Sequence, residues 1–118
     1  LPSAFPYGLT ELYCDNTNLV VVSSTFSNTV YSMSFDSSSY LTTWASVVPT
    51  GLLSLAMGNC SLLTPASQLT VCAGLDTNGL SNGYLNLSGS MILTSGAVSS
   101  SIEGHVNALK GKSWTVLI

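Results

Sequence analysis

Arginine is absent from this chain of 118 residues, and lysine occurs only at Lys110 and Lys112. Against five acidic residues this leaves a formal net charge of −3 and a charged fraction of 6%, where an ordinary soluble domain carries about 25%. Binding to nucleic acid rests on a basic stripe that neutralises phosphates, so nucleic acid is excluded as a partner. Long apolar runs are also missing. The stretches at 18–22 and 51–58 are short and interrupted, well below the roughly 18 residues that a membrane span needs, and membrane insertion is not expected. The chain begins at Leu1 rather than Met. It therefore reads as a cut fragment or a processed product, open to the removal of an address segment, and localisation is not read from its start.

Closely paired metal ligands and catalytic constellations are lacking too. Cys14, Cys60 and Cys72 form an odd, scattered set without a Cys-x-x-Cys pair, which argues against structural zinc. If the stretch "LLTPASQL" turns around Ala66, Cys60 and Cys72 face each other on neighbouring strands and a disulfide is open to them. Buried free thiols are the other reading, and the expected one. Two glycosylation patterns, Asn59-Cys60-Ser61 and Asn86-Leu87-Ser88, arise readily by chance in a chain so rich in Asn and Ser. The single imidazole, His105, stands two residues from Glu103, on one face of a strand if this segment is extended; a surface contact is expected there. A serine hydrolase would have His105 as its sole base. Asp15, Asp36 and Asp76 fall in separate turns without the acidic spacing of a calcium loop. No enzyme and no cofactor are expected.

What is present is apolar and hydroxylated. Hydrophobic residues make up 46% of the chain, and Ser and Thr together more than a quarter. With so few charges, the hydroxyls must form much of the hydrated face, and copies of the same chain are expected to cover part of the rest. The apolar ending "KSWTVLI", Lys112 to Ile118, is expected to be buried, because exposed apolar side chains gain nothing in water. Alternation of apolar residues predicts short strands around Tyr31–Phe35, Leu41–Val47, Leu69–Ala73 and Trp114–Ile118. Turn clusters at 15–18, 36–39, 64–67, 76–83 and 110–113 punctuate them, the spacing of a sandwich or barrel. Pro49–Asn59 has a possible cap at Thr50, but its length and its glycines favour an irregular strand. The run "DTNGLSNG", Asp76 to Gly83, holds two Asn-Gly pairs and predicts a loop or double bend between strands. No internal repeat is evident, and residues 1–118 read as one domain.

One resemblance gives these expectations a specific form. The segment "AGLDTNGLSNGYLNL", Ala73 to Leu87, resembles the strand, acidic residue, variable residue and Asn-Gly sequence that recurs in adenovirus fibre heads. "TTW", Thr42 to Trp44, is similar to the threonine-leucine-tryptophan run where shaft meets head, although it lies too far into this chain to be that junction. The brevity of the chain would suit a short-looped, atadenovirus-like head. The resemblance implies an all-β fold, an antiparallel β-sandwich of short strands associated as a homotrimer on the virion surface. It implies folding inside the host cell with reduced thiols, and attachment of the virion to a host-cell surface receptor, protein or glycan. Candidate receptor contacts are the loop residues Asp76, Thr77, Asn78, Asn82 and Tyr84, since exposed loops often carry function. Lys110 and Lys112 are the only cations for an acidic sugar. Two alternatives stand beside this reading: a secreted carbohydrate-binding, lectin-like module stacking sugars on Trp44, Tyr84 or Trp114, and a structural capsid or filament subunit.

Overall fold

The computed structural model describes residues 1–90 and 97–118. Five three-residue strands form one sheet: β1 (Glu11–Tyr13), β3 (Ser32–Ser34), β5 (Ser54–Ala56), β6 (Tyr84–Asn86) and β7 (Thr115–Leu117), in that order. Two shorter strands, β2 (Val21–Val22) and β4 (Thr43–Trp44), pair on the opposite side, followed by helices α1 (Pro65–Asn78) and α2 (Ala97–Gly111). Every strand pairing is parallel. The expected antiparallel β-sandwich is therefore incorrect: the fold is α/β, a parallel sheet with two helices.

The parallel pairing has a simple origin. Glu11, Ser32, Ser54, Tyr84 and Thr115 stand side by side in register, 21, 22, 30 and 31 residues apart. Each coil of chain returns to lie against the one before it, so strands run the same way without hairpins. The chain is thus a short solenoid, and it does carry a repeat. One column of inward side chains is Leu12, Met33, Leu55, Leu85 and Val116; two residues further on, Phe35, Met57 and Leu87 are also buried. Beyond β1, β3 and β5, an inward polar position recurs at Thr17, Ser38 and Cys60. Ser38 Oγ donates to the Cys14 carbonyl at 3.1 Å and Cys60 Sγ to the Phe35 carbonyl at 3.2 Å. Runs such as Leu52-x-x-Leu55-x-Met57-x-x-Cys60 resemble the spacing Leu-x-x-Leu-x-Leu-x-x-Asn/Cys of leucine-rich solenoids.

After each strand the backbone must bend sharply toward the far side. Asn16, Ser37, Asn59 and Gly89 do this with φ of 55°, 60°, 58° and 74°. Asn and Gly suit that left-handed region, whereas Ser37 is held there by context. The N–H groups of Asn16, Ser37 and Asn59 donate to the carbonyls of Asp36, Gly58 and Ser88 at 2.9, 2.7 and 2.7 Å.

On the far side, strands give way to helices. Thr64 caps α1, its hydroxyl accepting from the Ser67 N–H at 3.3 Å, and Pro65 opens the first turn. The segment expected as a strand at Leu69–Ala73, and the turn expected around Ala66, are both part of this helix. Its buried stripe is Ser67, Gln68, Val71, Cys72 and Leu75, a helical period in which two inward positions are polar. The paired Asn-Gly bends are a helix end and a connection: Gly79 closes α1 with φ 72°, its N–H donating to the Asp76 carbonyl at 3.1 Å. Helix α2 buries Ile102, Val106 and Leu109 against the core.

The last strand, β7, is paired with β6, and Trp114 ahead of it is buried with Nε1 donating to the Leu80 carbonyl at 2.8 Å. Leu117 and Ile118 are nonetheless 42% and 62% exposed, so the expectation of a fully buried ending fails for these two. A Cβ on Gly83 would lie 2.4 Å from the Trp114 ring. Gly83→Ala is expected to destabilise the chain by about 1–3 kcal/mol through overpacking. Gly104→Ala, in the open on α2 with nothing within 4 Å, is expected to stabilise it by up to about 1 kcal/mol. Urea unfolding of both variants measures the difference.

Candidate functional site

Residues of the sheet that do not point into the core form two rows on its outer face. The first is Glu11, Ser32, Ser54, Tyr84 and Thr115; the second is Tyr13, Ser34, Ala56, Asn86 and Leu117. Their alternation with the core column follows from the period of two along a strand. The second and third strands of the sheet, β3 and β5, contribute only Ser and Ala to these rows, whereas β1 contributes Glu11 and Tyr13 on one side of them and β6 contributes Tyr84 and Asn86 on the other. The face is therefore a shallow trough with a small-residue floor. Its walls stand three strand spacings apart, about 14 Å.

Hydrogen bonds order both the wall and the rim. Tyr31, immediately before β3, donates its hydroxyl to Glu11 Oε1 at 2.8 Å. That bond raises the Tyr31 pKa above its ordinary value, with desolvation and the Glu11 charge acting in the same direction. Tyr13 is 62% and Tyr31 46% exposed. At the rim, Asp15 Oδ1 accepts from Ser34 Oγ and, at 2.9 Å, from the Asp36 N–H. One coil further on, Asp36 Oδ1 accepts from the Gly58 N–H at 2.7 Å. Each carboxylate thus pins the turn of the following coil. Gly58 leaves room there for the Asn86 side chain, since a Cβ would come within 2.8 Å of Asn86 Nδ2 and oblige it to shift.

The expected receptor contacts are not brought together on this face. Asp76, Thr77 and Asn78 belong to the last turn of α1, on the helical side. Asn78 Nδ2 donates to the Pro49 carbonyl at 2.9 Å. Asn82 lies in the connection beyond, at φ 64°, with its N–H donating to the Lys112 carbonyl at 3.0 Å. Only Tyr84 reaches the sheet face, on β6. Trp44 and Trp114, considered above as sugar platforms, are buried at 3% and 5% exposure. Trp44 instead packs between Phe26, at a ring separation of 6.3 Å, and Phe35, at 5.9 Å.

His105 and Glu103 lie on helix α2 rather than on a strand. His105 Nδ1 meets Asp76 Oδ2 at 2.8 Å, and Lys112 Nζ donates to Asp76 Oδ1 at 2.7 Å and to the Asp76 carbonyl at 2.9 Å. This clamp ties the end of α1 to α2 and to the turn after it. The Lys112 hydrogen bond, then that of His105, lowers the Asp76 pKa below its ordinary value. The expectation that no serine stands in a Gly-x-Ser-x-Gly run is incorrect, since Gly79-Leu80-Ser81-Asn82-Gly83 matches that pattern of serine hydrolases. Here the run leads from a helix into a strand, the reverse of the strand-to-helix turn that exposes a hydrolase nucleophile.

The three cysteines are free, so Cys60 and Cys72 are not bridged. Burial pushes the Cys60 thiol up to about 11 and the Cys72 thiol to about 12, and it also raises Cys14. Among the described residues no cluster of three or more His, Cys, Asp or Glu could hold a metal ion, and no helix is long and apolar enough to cross a membrane. One cavity of about 410 Å³ lies between the N-terminal segment and the second coil, lined by Ala4, Phe5, Tyr7 and 25–29. No family model, no curated protein and no solved structure matches the chain.

Two outcomes are expected of these groups. At pH 8 an aromatic disulfide reagent should titrate Cys14 first, with Cys60 and Cys72 reacting only on unfolding. Because folding holds their protons to higher pH, stability should fall as pH rises from about 9 towards 12. Asp76→Asn should cost about 1 kcal/mol at pH 7, as befits a partly exposed clamp. The wild type, whose lowered Asp76 stabilises the fold above the ordinary carboxylate range, should lose that advantage as pH falls through the depressed value. Urea unfolding at pH 7 and pH 3 measures both.

Proposed function

We propose that this chain is a recognition module that binds a macromolecular partner on the outer face of its parallel sheet and catalyses no reaction. The observation that carries this reading is the trough itself: five strands in register, a floor of Ser32, Ser34, Ser54 and Ala56, and walls bearing exposed or half-buried Tyr and carboxylate side chains. Tyr is well suited to contact surfaces because it offers large apolar area and a hydroxyl at low entropic cost. Solenoids commonly use such extended faces for binding.

The chemistry elsewhere fits binding better than turnover. His105 is engaged with Asp76 on the helical side, away from the trough, and the cavity near Phe5 has Tyr7 as its one titratable lining side chain. Virion attachment would be one form of recognition, but the resemblance that implies it also implies an antiparallel sandwich, which this chain lacks. The proposal accordingly rests on the trough and assigns no virion.

The test is a selection of random twelve-residue peptides displayed on phage against the intact chain. Selected peptides should bind the wild type and lose at least about tenfold in affinity on Ser54→Trp, which fills the floor. They should be unaffected by Glu103→Gln on α2. Binders insensitive to Ser54→Trp would overturn the reading. Circular dichroism and thermal unfolding establish that the variant remains folded.

A further inference from the structure

Charge is distributed unevenly along the solenoid. The helical side carries Asp76 and Glu103 against Lys110 and Lys112, two acids and two lysines. The remaining acids, Glu11, Asp15 and Asp36, all belong to the first two coils, with no Lys, Arg or His side chain among them. The formal charge of −3 therefore resides at one end of the trough. Asp15 and Asp36 hold turns at the rim. Glu11 is different: it stands in the outward row of β1, its partner is the Tyr31 hydroxyl, and Tyr13 projects from the same strand two residues on.

Resting on the reading of the sheet face as a binding surface, we infer that its occupant is an extended basic peptide segment. Its backbone lies along the Ser and Ala floor, and an Arg or Lys side chain is seated against Glu11 between the rings of Tyr13 and Tyr31. A carboxylate held by a phenol and flanked by two exposed aromatic faces offers a cation both a charge partner and ring π-density. The trough is wide enough for an extended segment and its side chains, and the hydroxyls of Ser32 and Ser54 can meet backbone groups. Acidic sugars, nucleic acids and anionic lipid surfaces are disfavoured here, because their own charge meets three carboxylates and no Lys, Arg or His side chain.

The experiment uses three dye-labelled synthetic peptides, (Arg-Ser)6, (Gln-Ser)6 and (Glu-Ser)6, titrated with the intact chain by fluorescence anisotropy at physiological salt. Saturable binding of the arginine peptide alone is expected. The double variant Glu11→Gln/Tyr13→Ser should weaken it by about tenfold. Ser54→Trp should weaken it comparably, and Lys110→Gln on α2 should leave it unchanged. Equal binding of the neutral or acidic peptide, or an arginine peptide indifferent to the double variant, would refute the inference. The phage selection separates the two ideas. Trough-dependent binders enriched in Arg or Lys support both. Trough-dependent binders without cations sink the basic partner and leave the binding face standing, whereas trough-independent binders sink both.

Discussion

Three residues of parallel backbone pairing, repeated from coil to coil, hold this molecule together. No coil can bury its own Leu or Met, because a single turn of chain has no second layer. Met33 and Leu55 become inaccessible only when coils on either side stack in register. The same stacking completes the ladder of backbone hydrogen bonds, and it lets Ser38 and Cys60 satisfy carbonyls of the preceding coil. Apolar burial and polar satisfaction are thereby met by one geometric condition, which is why the polar column sits inside the core at little cost.

The change from strands to helices on the far side is a local decision with long-range effect. The outer edge of β4 presents the Trp44 N–H and the Thr42 carbonyl. Ser67 Oγ accepts from the first at 3.0 Å and donates to the second at 3.4 Å, and the Thr64 N–H also donates to Thr42 at 3.0 Å. The first turn of α1 therefore terminates the ribbon that β2 and β4 began. A helix rises only about 1.5 Å per residue, so spanning this side takes more chain, and the repeat lengthens from 22 to 30 residues. Neighbouring helices sit about 8–10 Å apart and strands about 4.8 Å. That mismatch spaces the helical side more widely than the sheet side.

Charge follows the same division. Where helices pack, Asp76 is neutralised by Lys112 and held by His105, so the helical layer is closed electrostatically as well as sterically. Where only strands and turns exist, the carboxylates of Asp15 and Asp36 hold backbone N–H groups, and Glu11 holds a phenol. The scarcity of charge in the whole chain makes these three conspicuous, for no Lys, Arg or His side chain stands in their coils.

Only some of the strands were legible in local sequence. The strands at Ser32–Ser34, Thr43–Trp44 and Thr115–Leu117 follow from alternation, which reports only that one side of a short segment is dry. Helix α1 was hidden because Ser67 and Gln68 occupy inward positions, so the apolar residues left over mimic a strand. Asn78-Gly79, favourable in a hairpin, is equally favourable at a helix end, since both need a left-handed residue. The trough was the least visible, for its residues come from coils 21 to 31 positions apart and gain a shared face only through register. The matching offsets of Leu12, Met33 and Leu55, of Cys14, Phe35 and Met57, and of Asp15 and Asp36 were the signal that could have revealed it. Composition by itself determined the poverty of charge, the dependence on hydroxyls and the dry faces of the strands, because these belong to residue chemistry. Strand direction, the helical layer and the meeting of Glu11 with Tyr31 were decided by tertiary structure, because alternation carries no information about which neighbour a strand finds or which way that neighbour runs.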